Sequence, residues 1–271
     1  MFDIAVTIVN YKMAEDIRDL LCSMKEDLVG SDLKVQIVVV DNTPEEGAWL
    51  MFKNNFPEVK YLPQEGNVGF GKAQNIGIKS TDAKYYFILY PDAIFPSGER
   101  VLQRLFEYME MHPKIGMIAP KLLNSDNSLQ YSCYRFPDFW IPLYRRSSLG
   151  ESRKNRRKVA HYLMHDFNHE RNQPVDWIMG SAMFARGTTL EQTGLFDERY
   201  FMYFEDCDLC RRFWDANWPI YYIHDIKIKH RHGKGSAKVP GFFSSIMKNP
   251  LTRVHITSWL KYMWKWRFKT I

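Results

Sequence analysis

Residues 226–271 contain no aspartate or glutamate, yet they hold 11 lysines and arginines. The chain of 271 residues carries a net charge of +6, so the remainder has 26 basic against 31 acidic side chains, net −5. A mildly acidic body with a basic tail points to an anionic partner, either nucleic acid or a membrane surface. Long hydrophobic runs are also missing. None approaches the roughly 20 apolar residues that a bilayer-spanning helix needs. Cysteine is scarce, with Cys22, Cys133, Cys207 and Cys210 only. Cys207 and Cys210 form a C-x-x-C, but within a helical pattern and without a second pair at zinc-ribbon spacing. Ordinary reduced thiols of a cytosolic protein are therefore expected. The opening MFDIAVTIVNYK has no basic leader and no small-residue cleavage site, so it does not read as a secretory signal. Internal repeats are absent, which excludes a repeat array.

What is present fits an ordinary globular core, since 45% of residues are hydrophobic and 25% charged. Aromatics reach 15%, which suits stacking surfaces or an interfacial face. Buried-strand patterns occur at Asp3–Asn10, Val35–Val40, Val59–Leu62, Tyr85–Tyr90 and Ile115–Ala119. Helical patterns lie between them at Ala14–Leu28, Pro44–Asn55, Lys72–Lys79 and Ser97–Met111. This alternation predicts βαβ units and a mostly parallel α/β sheet. Periodicity is lost from Leu122 to Pro174. There Arg145–Lys158, with seven basic residues and one acidic, reads as a solvated mobile loop, or alternatively as a lid or acceptor contact. Order returns at Val175–Arg186, a short helix at Thr188–Thr193, a helix at Phe204–Trp214, and short strands at Ile220–Ile223 and Ile226–Lys229.

The polar signals fall where strands end. Asn10-Tyr11, Asp41-Asn42 and Asp92 each follow a buried run, and open α/β sheets bind ligands beyond the carboxyl ends of their strands. Pro91-Asp92 also suits a plain turn. Asn67-Val68-Gly69-Phe70-Gly71 lacks the full dinucleotide fingerprint and the P-loop lysine, but glycine permits close approach to a sugar or phosphate. Glu205, Asp206 and Asp208 cluster in a helical first turn, where the dipole favours carboxylates. Together with Asp92 and with His230 or His232 they form a donor set for a divalent cation such as Mn²⁺ or Mg²⁺.

The ordered motifs IVNYK, VVVDN, N-x-G-F-G-x-x-x-N, ILYPDA, DWIMGSAM, GLFDERYFMYFEDCDLCRR and HRHGKGS resemble a family 2 inverting glycosyltransferase of the GT-A fold. The chain is most similar to rhamnosyltransferase-like bacterial members that build cell-surface polysaccharides. The resemblance covers roughly residues 3–236. It implies one Rossmann-like GT-A domain, with a nucleotide-binding half at 1–121 and an acceptor and catalytic half at 122–236. A basic amphipathic segment at 237–271 follows. By resemblance, Asn10, Tyr11 and Asp41 hold the nucleobase and ribose of a nucleotide-sugar donor, with dTDP-L-rhamnose favoured. Asn67, Gly69, Gly71 and Asn75 line the donor site. Asp92 contacts the metal that bridges the diphosphate, and His230 is the third element of that site. Trp177, Gly180, Ser181 and Glu205 shape the sugar and acceptor pocket, and Asp206 is the general base. Tyr90 stands where relatives often carry a second polar ligand.

Leu251–Phe268 interleaves tryptophans with Lys and Arg, which suits the face of an anionic membrane; packing against the domain is the competing reading. Under the first reading the acceptor is a glycan or a polyprenyl-diphosphate-linked oligosaccharide at the cytoplasmic leaflet. Two other readings remain: a nucleic-acid-binding protein using the tail, and a catalytically silent glycan-binding relative. The acidic body and the lack of a nucleic-acid motif argue against the former.

Overall fold

The computed structural model describes residues 1–145, 147–231 and 249–267. In chain order, β1 (Phe2–Asn10), α1 (Ala14–Asp27), β2 (Val35–Asp41), α2 (Glu46–Asn55), β3 (Lys60–Pro63), α3 (Phe70–Lys79) and β4 (Ala83–Leu89) build the first half. Next come β5 (Ala93–Ile94), α4 (Val101–Met111), β6 (Met117–Leu123), β7 (Leu129–Gln130), β8 (Cys133–Tyr134), α5 (Ile141–Tyr144), a 3-10 turn at Ser148–Glu151 and α6 (Arg153–Tyr162). The last elements are β9 (Gln173–Pro174), β10 (Trp177–Ile178), β11 (Ala182–Arg186), α7 (Gly187–Thr193), α8 (Glu205–Asp215), β12 (Ile220–His230) and α9 (Pro250–Trp266).

One sheet organises these elements, in the order β3-β2-β1-β4-β11-β6-β12-β5. The four strands from β3 to β4 are mutually parallel, as are β6 and β12. β11 is inserted antiparallel between β4 and β6, so the sheet is mostly parallel but mixed. Along β1, side chains alternate between two cores. Ile4, Val6 and Ile8 face a layer containing α1 and α4 residues such as Leu20 and Leu105. Ala5 and Val9 face the layer of α3, α7, α8 and α9. A strand covered on both sides needs apolar residues at every position, which is why β1, β2 and β4 read as continuous runs.

Three sequence expectations change. The stretch from Arg145 to Lys158 is not a solvated loop: it holds the 3-10 turn and most of α6. The Ser152 hydroxyl accepts the Asn155 N–H and caps the helix, while the buried anchor Tyr162 lies beyond the basic run. The two short strands after Trp218 are one, β12, with a register irregularity between Ile223 and Lys227 that breaks its alternation. The helix expected from Ser97 begins at Val101. There the buried Asp27 carboxylate accepts the Val101 and Leu102 N–H groups at 2.6 and 3.0 Å. A cap supplied from another helix leaves no local signal.

α9 lies against the domain. Tyr262 and Trp266 are buried, and Lys265 reaches Asp197 and Asp208 at 2.8 Å. Among the described residues, no helix is long and apolar enough to cross a membrane. His232 and residues 232–248 lie outside the described residues.

Candidate active site

β4 ends at Leu89, and the chain turns through Tyr90-Pro91-Asp92 into the two-residue β5. β5 pairs antiparallel with the end of β12, aligning Ala93 with His230. The Arg231 N–H donates to the Asp92 carbonyl at 3.2 Å, which locks the turn. That pairing sets Asp92 Oδ1 3.0 Å from His230 Nε2, with both side chains buried. Gln130, on β7, orients the ring. Its Nε2 donates to the His230 carbonyl and to Asn124 Oδ1, so its Oε1 is the acceptor that faces His230 Nδ1 at 2.7 Å. The network therefore assigns a proton to Nδ1. Nε2 is then the ring nitrogen turned toward Asp92. An imidazole nitrogen and a carboxylate oxygen converging in this way suit Mn²⁺ or Mg²⁺, with Gln130 in the supporting role that orients a ligating histidine. Among the described residues, no group of three or more His, Cys, Asp and Glu side chains is placed to hold a metal.

Tyr90 joins this corner to the acidic helix. Its ring meets His230 edge-on at 6.0 Å and Phe70 at 5.8 Å. Burial, then the charge of Glu205, push its hydroxyl up to about 12. α8 starts after two consecutive non-glycine residues in the left-handed region, Tyr203 (φ 69) and Phe204 (φ 66). Such strain persists only where surroundings enforce it. It turns the first helical residues in three directions. Glu205 is buried, and burial followed by the neighbouring Asp206 charge raises its carboxyl well above the usual range. Asp208 is fully buried and accepts from Arg212, Lys265 and Trp266 Nε1.

Asp206 lies between them and keeps some accessible surface. Its Oδ2 accepts the Gly180 N–H at 3.0 Å, and its Oδ1 the Cys207 N–H at 2.7 Å. Burial lifts its carboxyl to about 6, against those two hydrogen bonds. Two adjacent carboxyls therefore titrate as a pair, with Glu205 holding the proton longer and Asp206 ionised at neutral pH. Gly180 leaves little room: a Cβ there would sit 3.1 Å from the Phe70 ring.

The glycine loop packs on the segment before α8. Gly69 adopts φ 88, and a Cβ on it would collide with the Phe201 carbonyl oxygen, which accepts the Phe70 N–H. Asn67 Oδ1 accepts from the Gly69 N–H at 3.0 Å and from Asn42 Nδ2 at 3.1 Å. Gly71 faces Phe196 and Glu205. Asn75 is buried, and its amide bonds the Phe196 backbone twice and Glu198 once, tying α3 to that same segment.

At the far edge, Asn10 accepts the Met13 N–H, and Tyr11 beside it is exposed. Asp41 is buried, its oxygens accepting the Thr43 N–H at 2.8 Å and the Tyr61 hydroxyl at 2.6 Å. Trp177 lies on the other side, its indole N–H donating to the Arg135 carbonyl and its ring 4.8 Å from Tyr134. The Ser181 carbonyl accepts the Tyr90 N–H at 2.9 Å. Of the sequence-derived residues, Asn10, Asp41 and Asp92 thus stand at strand ends of the main sheet, the Asn67–Asn75 stretch packs on the segment before α8, Gly180 bonds Asp206, and Trp177 lies on a separate two-stranded β8–β10 sheet. Gln130 and the Phe201 carbonyl were not singled out in the sequence. Gln130 sits in a two-residue strand inside the patternless stretch, and a backbone oxygen carries no sequence signal.

Residues 3–168 match the model of glycosyl transferase family 2. The chain is 24% identical over 263 residues to N-acetylglucosaminyl-diphospho-decaprenol L-rhamnosyltransferase of Mycobacterium tuberculosis, covering 87% of this chain and 78% of the relative. It is 26% identical over 275 residues to the rhamnosyltransferase WbbL of Escherichia coli K12, covering 95% and 91%. Its fold is similar to a mannosyltransferase of Pyrobaculum calidifontis in complex with GDP-Man and Mn²⁺, at TM-score 0.57 and 15% identity. That match spans 86% of this chain but only 60% of the mannosyltransferase. S. aureus TarS gives a TM-score of 0.55. The chain thus shares its fold with solved glycosyltransferases and belongs to glycosyl transferase family 2.

Proposed function

We propose that this glycosyltransferase moves a sugar, with L-rhamnose from dTDP-L-rhamnose favoured, onto a hydroxyl of a polyprenyl-diphosphate-linked glycan, with inversion at the anomeric carbon. Supporting the sugar and the acceptor are the two rhamnosyltransferase relatives, one of them acting on a diphospho-decaprenol substrate by name. Supporting the chemistry is one observation above all: Asp206, held by the Gly180 and Cys207 N–H groups, has its carboxyl raised to about 6 by burial. A base with that affinity is ionised at neutral pH and still binds a proton well, which is what removal of an acceptor hydroxyl proton requires.

Inversion needs one in-line displacement, with the base on the acceptor side and the nucleoside diphosphate leaving on the other. Asp206 takes the acceptor proton. Glu205 stays neutral beside it and adds no second charge to the pocket. Asp92 and His230 would hold Mn²⁺ or Mg²⁺ with the diphosphate supplying further oxygens, as magnesium sites built around substrate phosphates do. That cation would neutralise charge growing on the leaving group. The donor residues, Asn10, Tyr11, Asp41, Asn67, Gly69, Gly71, Asn75 and Asp92, come from residues 1–121. The base and the pocket formed by Trp177, Gly180, Ser181 and Glu205 come from 122–236. A lipid-linked acceptor calls for peripheral contact with an anionic membrane on the cytoplasmic side. The nucleic-acid reading of the tail gains no support from the family match or the relatives, all of which are glycosyltransferases.

The test is transfer from dTDP-L-rhamnose to a synthetic polyprenyl-diphospho-sugar in the presence of Mn²⁺, with the anomeric configuration of the product read by NMR. An inverted linkage supports the proposal. A retained linkage, or turnover with no nucleotide sugar at all, would contradict it.

A further inference from the structure

The segment between β8 and β9 and the C-terminal helix share a surface that the active site does not use. Phe139 and Trp259, from these two regions, pack ring against ring at 4.9 Å. From Phe139 the contacts run on through Trp140 to Tyr144 of α5, and Lys158 of α6 stands over the Tyr144 ring. The two regions therefore form one continuous face.

That face is apolar and basic at once. Trp140 is 49% exposed, Leu149 56%, Leu260 50% and Trp264 69%. On α9, Leu260 and Trp264 are four residues apart and so lie on one side of the helix, opposite the buried Tyr262 and Trp266. Arg267 stacks over Trp264 at 3.7 Å. α6 carries Arg153, Lys154, Arg156, Arg157 and Lys158 with no acidic residue, and all five are exposed. α9 has no acidic residue either.

We infer that this composite face, with Trp140 and Trp264 as apolar anchors and the α6 basic run as its charged rim, docks the enzyme on an anionic lipid bilayer. Charge complementarity selects that partner. A protein interface would be expected to deplete lysine and to pair its charges. A bilayer surface instead takes tryptophan at the headgroup level and cations toward anionic lipid. α9 is also fixed to α8 through Lys265 and Trp266 at Asp208, two residues from Asp206, so docking would hold the base at a set height above the lipid surface. The inference extends the proposed lipid-linked acceptor and rests on that reading for its purpose.

The test is co-sedimentation of the full chain with phosphatidylcholine vesicles, with and without phosphatidylglycerol. Three proteins are compared: the wild type, Trp140→Ser/Trp264→Ser, and Lys154→Glu/Arg157→Glu. Expected is binding only to the anionic vesicles, weakened by salt, and reduced roughly tenfold or more in each double variant. Melting temperature and the thermal shift given by dTDP-L-rhamnose should not change, which excludes misfolding as the cause. Wild-type protein that ignores anionic vesicles, or variants that bind as well as wild type, would overturn the docking face. So would capture of single-stranded RNA in place of vesicles. Loss of the sugar-nucleotide shift in wild type would instead contradict the proposed function and leave the vesicle result standing.

Discussion

Asp92 Oδ1 and His230 Nε2 face each other at 3.0 Å because β5 pairs antiparallel with the end of β12. Neither residue alone makes a metal site, and the pair depends on Gln130 to present the correct ring nitrogen. The expected outcome for His230→Ala is loss of the extra thermal stabilisation that Mn²⁺ gives in the presence of dTDP. For Gln130→Leu, metal affinity should fall by roughly 10- to 100-fold, the usual effect of removing a partner of a ligating histidine. An undiminished Mn²⁺-dependent shift in His230→Ala would remove this histidine from the site.

Asp206, the base of the proposed reaction, also ties stability to pH. Its folded carboxyl binds a proton up to about 6, against about 4 for an exposed aspartate. The folded state therefore holds a proton that the unfolded chain has already released. The sign is a penalty: stability falls as pH rises from about 4 to about 6 and stays reduced above that. Asp206→Asn should accordingly melt higher than wild type at neutral pH, with the gain vanishing near pH 4. In wild type, kcat should rise through an apparent pKa near 6. A variant that melts lower at neutral pH would contradict the buried-carboxylate account.

Gly69 is held at φ 88 against the Phe201 carbonyl oxygen. Gly69→Ala adds a strained backbone and a steric collision with main chain, together on the order of 1–3 kcal/mol. The melting temperature should drop, and nucleotide binding should weaken as the loop moves away from Phe201. Gly66→Ala, with nothing within 4 Å of the added carbon, is the control. Equal melting temperatures for the two variants would refute the close approach.

Lys265 is one of three cationic or N–H partners of the fully buried Asp208. Lys265→Met leaves Arg212 and Trp266 in place, so the cost should be below the 3–5 kcal/mol of an abandoned buried charge, at about 2 kcal/mol. Denaturant unfolding reads it directly. An unchanged midpoint would mean that α9 is not anchored through this contact.

Much of the fold was legible because buried parallel strands leave uninterrupted apolar runs, and β1, β2 and β4 begin and end within two residues of those runs. The edges were harder. β7 and β8 have two residues each and owe their existence to neighbours, so no period marks them. α6 was hidden because its exposed face is a run of cations and its anchor, Tyr162, lies past the basic stretch. At the site, Asp92 and Asp206 were visible as carboxylates after a strand and at a helix start. Their orientation was not, since it depends on the left-handed Tyr203-Phe204 pair and on a β5–β12 pairing between distant parts of the chain. The acidic cluster read as one unit, whereas Asp208 serves α9 and only Asp206 bonds Gly180.

The central claim is that Asp206 removes the acceptor proton while other residues hold the donor. The most direct measurement compares Asp206→Asn with wild type in two assays: dTDP-L-rhamnose binding by calorimetry with Mn²⁺, and sugar transfer to a polyprenyl-diphospho-sugar. The account predicts donor affinity within a few-fold of wild type and transfer reduced by about 10²- to 10⁴-fold. Substantial transfer by the variant, or donor binding lost while turnover persists, would contradict it.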